Sequence, residues 1–79
     1  MNKEENQKRI GQRIAEIRKD IQWKDESGIN RTGMTQDDLA ERCGLSQSHI
    51  TRIEAGKYDV KLSTIGAIAE ALGKRVDIV

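Results

Sequence analysis

Ser46, Gln47, Ser48, Thr51, Arg52 and Lys57 crowd hydroxyl, amide, guanidinium and ammonium groups into one short stretch of this sequence. Such groups bind through hydrogen bonds and charge rather than by breaking covalent bonds. The residues that could do covalent or acid–base chemistry are sparser. Asp37, Asp38 and Glu41 form an acidic cluster, but catalytic carboxylates need a pocket, and 79 residues offer little volume for one. They read as helix capping plus a solvated face. His49 has no second His, Cys or carboxylate at ligand spacing and reads as a surface side chain, not a metal ligand. Cys43 sits where a small apolar residue belongs, so packing is expected rather than redox sensing. With no nucleophile–base pair and no phosphate-cradling glycine loop, the chain reads as a non-enzyme without cofactor or metal.

The elements that must position these groups follow from apolar spacing and glycine punctuation. Ile10, Ile14, Ile17 and Ile21 recur at steps of four, three and four, which predicts a helix from about Asn6 to Gln22 with all four on one face. Gly11 within it costs up to about 1 kcal/mol relative to Ala. The polar segment from Lys24 to Gly33, with two glycines, Asn and Ser, reads as a loop. Thr35 is placed as the N-cap of a second helix running to Cys43, with Leu39, Ala40 and Cys43 inward and Gly44 just past its end. Ser46 caps a third helix whose inward stripe is Ile50 and Ile53, ended by Gly56. Ser63 is expected to cap a fourth, with Ile65, Ile68, Ala69 and Leu72 inward and Gly73 closing it; Gly66 either lets helices approach closely or is merely tolerated. The tail from Arg75 to Val79 alternates and is β-branched, which suggests a short strand.

Two short helices joined by a tight glycine-containing turn, Thr35 to Cys43 and Ser46 to Ala55, make a helix-turn-helix over about residues 35–56. Its second helix protrudes enough to enter a major groove while the first braces it. The run from Met34 to Lys57, with Gln36, Leu39-Ala40, Gly44, Ser46-Gln47, Ile50 and Ile53-Glu54-Ala55-Gly56-Lys57, resembles the XRE or Cro/cI-type (lambda-repressor-like) pattern. The similarity extends upstream to Ile10-Gly11, Ile14 and Ile17-Arg18, and downstream from Leu62-Ser63-Thr64-Ile65 through Ala71-Leu72-Gly73. The resemblance implies an all-α bundle of four to five helices forming a single DNA-binding domain over residues 1–79. It departs from the family in a longer connection between Lys19 and Met34, and in a C-terminus where the strand-like tail replaces a fifth helix.

The same resemblance implies residue roles. Gln47 and Ser48 match base-reading positions, and Thr51 and Arg52 face the groove one turn on. The residue types suit this, since an amide can pair with adenine and an arginine fork with guanine. Gln36 corresponds to a position that contacts phosphate and braces the first residue of the recognition helix. Ser46, Lys57 with its neighbouring main-chain donors, and Arg31 in the long connection are expected at phosphates, which fix register without reading sequence. Arg18 and Glu54 correspond to a partly buried ion pair of architectural role.

Bulk properties bound the partners. Charged residues make up 34% of the chain yet the net charge is only +1, so composition alone does not point to nucleic acid. Absence of a signal-peptide pattern or membrane-length apolar run, together with a lone cysteine, places the protein in the cytoplasm by expectation. A small core without a disulfide gains from oligomerisation, and the tail, through Val76 and Ile78, is expected to pair across a homodimer. The expected function is sequence-specific binding of a double-stranded DNA operator by a transcriptional regulator of repressor type. The alternative is an antitoxin that neutralises a toxin partner protein, with DNA autoregulation secondary.

Overall fold

A computed structural model describes residues 2–74 as four helices and one small hairpin. The first helix, α1 (Lys3–Asp20), starts earlier than the isoleucine spacing implied because Asn2 accepts the Glu5 N–H at 2.8 Å and caps it. Glu4 and Glu5 in its first turn and Arg18 and Lys19 in its last complement the helix dipole.

The segment expected to be a loop instead folds back on itself. Strands β1 (Gln22–Lys24) and β2 (Asn30–Thr32) pair antiparallel, with Trp23 opposite Arg31. Three-residue strands are too short to show a period-two pattern, so the sequence presented only their turn. Asp25 builds that turn by accepting the N–H groups of Ser27 and Ile29 at 2.9 and 3.0 Å. Trp23 anchors the hairpin, donating its indole N–H to Gly33 O at 2.9 Å beneath the Arg42 guanidinium, 5.4 Å from the ring centre. The expectation of an all-α chain is corrected to this extent: the fold is mainly helical with a two-stranded sheet.

Helix α2 (Gln36–Cys43) opens on a reciprocal cap, with Asp38 N–H donating to Thr35 Oγ1 at 2.9 Å and Thr35 N–H to the Asp38 carboxylate at 3.0 Å. It ends at Gly44, whose φ of +75° is left-handed. Helix α3 (Gln47–Glu54) is capped by Ser46, which accepts the His49 N–H at 3.2 Å. Helix α4 (Leu62–Ala71) begins before the expected Ser63 cap, because the Lys61 carbonyl already accepts the N–H groups of Thr64 and Ile65. Ser63 lies inside its first turn.

Helix α3 packs against both α1 and α2, and α4 packs against α2. Ile14, Met34, Leu39, Ala40, Ile50, Ile53, Ile68, Ala71 and Leu72 form the shared core. The face α1 turns inward is not quite its isoleucine stripe. Gly11, Ile14 and Arg18 are buried, whereas Ile10 is 37% exposed. Gly11 sets the closeness of α1 to α3, since a Cβ there would lie 2.4 Å from Ile53 O. The expected strand 75–79, with Val76 and Ile78, lies outside the described residues. No helix among those described is long and apolar enough to cross a membrane.

Candidate nucleic-acid interface

Helix α3 is divided sharply between anchor and display. Ile50 and Ile53 are 0% and 1% exposed, while Gln47, Ser48, Thr51 and Arg52 all stand exposed on the other side. The buried pair fixes rotation about the helix axis, so the polar four cannot turn inward without pulling two isoleucines into water.

A chain of polar contacts fixes α3 against its neighbours as well. Arg18 and Glu54 form a two-pronged ion pair, Nε to Oε2 at 2.7 Å and Nη2 to Oε1 at 2.9 Å, and Arg18 Nη1 donates to Met34 O at 2.7 Å. Gln36 then joins Glu54 to the surface: its Nε2 donates to Glu54 Oε1 at 3.0 Å, and its Oε1 accepts from Thr51 Oγ1 at 2.8 Å. Gln36 therefore braces the middle and end of α3. Sequence reasoning missed this connection, because residues 15 and 18 positions apart give no local signal of contact.

The other site residues separate into two groups. Ser46 sits at the head of α3 with its hydroxyl 3.2 Å from that of Ser48. Lys57 is exposed just past the end of α3, but its own N–H donates to Arg52 O and that of Gly56 to Ile53 O, so those main-chain donors are used within the fold. Arg31 stands apart, on the hairpin, where its Nε donates to Asp25 and it shares a groove with Asp38, Glu41 and Arg42. Hydrogen bonding to Arg31 in turn holds the Asp25 carboxyl below its usual range.

His49, expected at the surface, is half-buried; its ring meets that of Tyr58 edge-on at 4.9 Å. The guanidinium of Arg52 lies 5.5 Å from the centre of the same Tyr58 ring. Cys43 is half-buried, and burial pushes its thiol pKa up, which suits packing better than reactivity. No group of three or more His, Cys, Asp or Glu among the described residues could hold a metal ion.

Two short helices, a glycine turn and an outward polar row on the second thus form one rigid unit. A helix-turn-helix family profile matches residues 29–79. The chain belongs to the Cro/cI-type helix-turn-helix family. Within this family, it is 39% identical over 70 residues to the immunity repressor protein of Bacillus phage phi105, covering 89% of this chain and 41% of that protein. It is 33% identical over 64 residues to control protein C.BamHI of Bacillus amyloliquefaciens, covering 81% and 67% of the two chains. An uncharacterised HTH-type transcriptional regulator of Methanocaldococcus jannaschii is 41% identical over 44 residues, 56% of this chain and 67% of the relative. The chain thus spans about two fifths of the length of the phage immunity repressor.

Proposed function

We propose that this chain regulates transcription, as a repressor, by binding a double-stranded DNA operator sequence-specifically as a homodimer. Helix α3 lies in the major groove and α2 crosses the backbone. One observation carries the reading: the exposed row Gln47, Ser48, Thr51 and Arg52 projects from a helix locked by Ile50, Ile53 and the Arg18–Glu54–Gln36–Thr51 contacts. A rigidly held row of mixed donors and acceptors is what reading base edges requires. The repressor and control-protein names of two relatives support the same reading by similarity.

In this proposal Gln47, Ser48, Thr51 and Arg52 contact bases, and Gln36, Ser46, Lys57 and Arg31 hold phosphates. Gln36 suits its part because Nε2 carries two protons and Glu54 takes only one. Arg31 is the outlying member, its charge already shared with Asp25, and its loss should matter least. The homodimer is proposed to pair through strand 75–79 with Val76 and Ile78. The toxin-partner alternative draws on that same tail and on the near-neutral charge of +1, and neither identifies a toxin-binding surface among the described residues.

The test is selection of bound duplexes from a random pool, followed by titration at increasing salt. The expected product is a two-fold symmetric sequence with half-sites about 34–36 Å apart. Gln47→Ala and Arg52→Ala should each relax preference at their own base pairs by roughly 1–3 kcal/mol. Failure to bind any duplex in a salt-dependent manner would overturn the proposal.

A further inference from the structure

Tyr58 lies outside α3, yet it touches two of that helix's side chains. Its ring and that of His49 meet in a T-shaped contact, centroids 4.9 Å apart and planes at 78°, and it underlies the Arg52 guanidinium at 5.5 Å. The ring is itself fixed. Tyr58 is half-buried against the core. Two residues before it, Gly56 adopts a φ of +73° so close to α1 that a Cβ would lie 2.8 Å from Lys8 Cα. One residue after it, Asp59 pairs with Lys3 at 2.8 Å. Of the two, Arg52 is the long, exposed side chain and Tyr58 the half-buried one packed on the core, which makes the tyrosine the platform.

We propose that Tyr58 is a specificity-positioning residue, a platform that holds Arg52 in the orientation from which it reads its base pair. The proposal rests on α3 being the DNA-reading helix. An exposed arginine gives up rotamer freedom when it makes a two-pronged contact with guanine, and a ring beneath the guanidinium removes much of that freedom in advance. Attraction between the cation and the ring face supplies the hold. His49 contacts the same ring: its Nε2 is buried without a hydrogen-bond partner among the described residues, so this imidazole packs against the tyrosine and does not reach outward.

The experiment uses duplexes that the wild-type protein selects from a random pool, together with single-base-pair variants of them. Tyr58→Phe keeps the ring face, whereas Tyr58→Leu keeps apolar bulk without it. Tyr58→Phe should discriminate like wild type. Tyr58→Leu should lose about two- to fivefold in discrimination, only at the base pair whose preference Arg52→Ala abolishes, with the salt dependence unchanged. A Tyr58→Leu protein that discriminates normally there, or that weakens equally at every base pair, overturns the proposal. If Arg52→Ala itself leaves every base preference intact, the groove-reading role of Arg52 falls, and this proposal with it. Should Tyr58→Leu fail to fold, NMR of the wild type decides. Arg52 side-chain protons shifted upfield by the ring support the platform, and unshifted, averaged resonances overturn it.

Discussion

Arg18 and Glu54 bring full charges to a place where their side chains retain only 9% and 7% of their exposure. Desolvating either alone is costly, and the pairing geometry offsets that cost only while both are present. Glu54→Ala should therefore lower unfolding stability by about 3–5 kcal/mol, measured by urea denaturation. The double variant Arg18→Met with Glu54→Leu should lie much nearer wild type than the sum of the single losses. Additive losses would show that the pair is not coupled. Glu54 also receives Gln36, so its removal loosens the brace on Thr51 as well. The residue types at this site were legible in the chain by resemblance, but the route from Glu54 through Gln36 to Thr51 was not. Side chains far apart in sequence meet only once the helices are docked.

Elements show where local rules suffice and where they invert. The caps at Thr35 and Ser46 and the left-handed Gly44 were readable because each depends on a few neighbouring residues. Gly11 and Gly66 look alike by helix propensity, which favours alanine at both by up to about 1 kcal/mol. Their surroundings differ. A Cβ at Gly11 would lie 2.4 and 2.7 Å from the Ile53 and Glu54 carbonyl oxygens, whereas one at Gly66 meets nothing within 4 Å among the described residues. Gly11→Ala should destabilise by about 1–3 kcal/mol, and Gly66→Ala should stabilise by roughly 0.5–1 kcal/mol, both read from thermal unfolding. The hairpin carries its own pH dependence. Hydrogen bonds to Asp25 from Arg31 first, and then from the Ile29 and Ser27 N–H groups, depress its pKa below the ordinary 3.8. A carboxylate so depressed stabilises the fold above its unfolded pKa, and this contribution disappears as pH falls through the folded value. Fluorescence of Trp23, the chain's one tryptophan, should stay flat from neutral pH to about 5 and change below about 4. Asp25→Asn should remove that acid transition; if it persists unchanged, Asp25 is not its origin.

At the scale of the molecule, the described fold measures 41 × 29 × 20 Å and, in the proposed function, presents one helix, α3, to the DNA. The eight residues of α3 rise about 12 Å, which spans some three or four base pairs. So short a word recurs many times in any genome, and this is the physical reason for proposing a dimer. Because the net charge is only +1, the proposed DNA binding would have to depend on a few placed cations rather than on a general positive field. Lys57→Ala should weaken binding evenly across sequences and reduce the slope of log K against log salt by about 1. A sequence-selective loss would instead make Lys57 a base contact.

The order of the helices and the caps at Thr35 and Ser46 were determined by the sequence, because periodicity and capping act over one or two turns, and the polar row on α3 was legible by resemblance. The tertiary structure alone decided which face of α1 is buried, that the 24–33 segment closes a hairpin, and that Gln36 and Tyr58 support α3 from outside it. Such contacts depend on where separate helices dock, and docking is set by packing between residues that no local pattern relates.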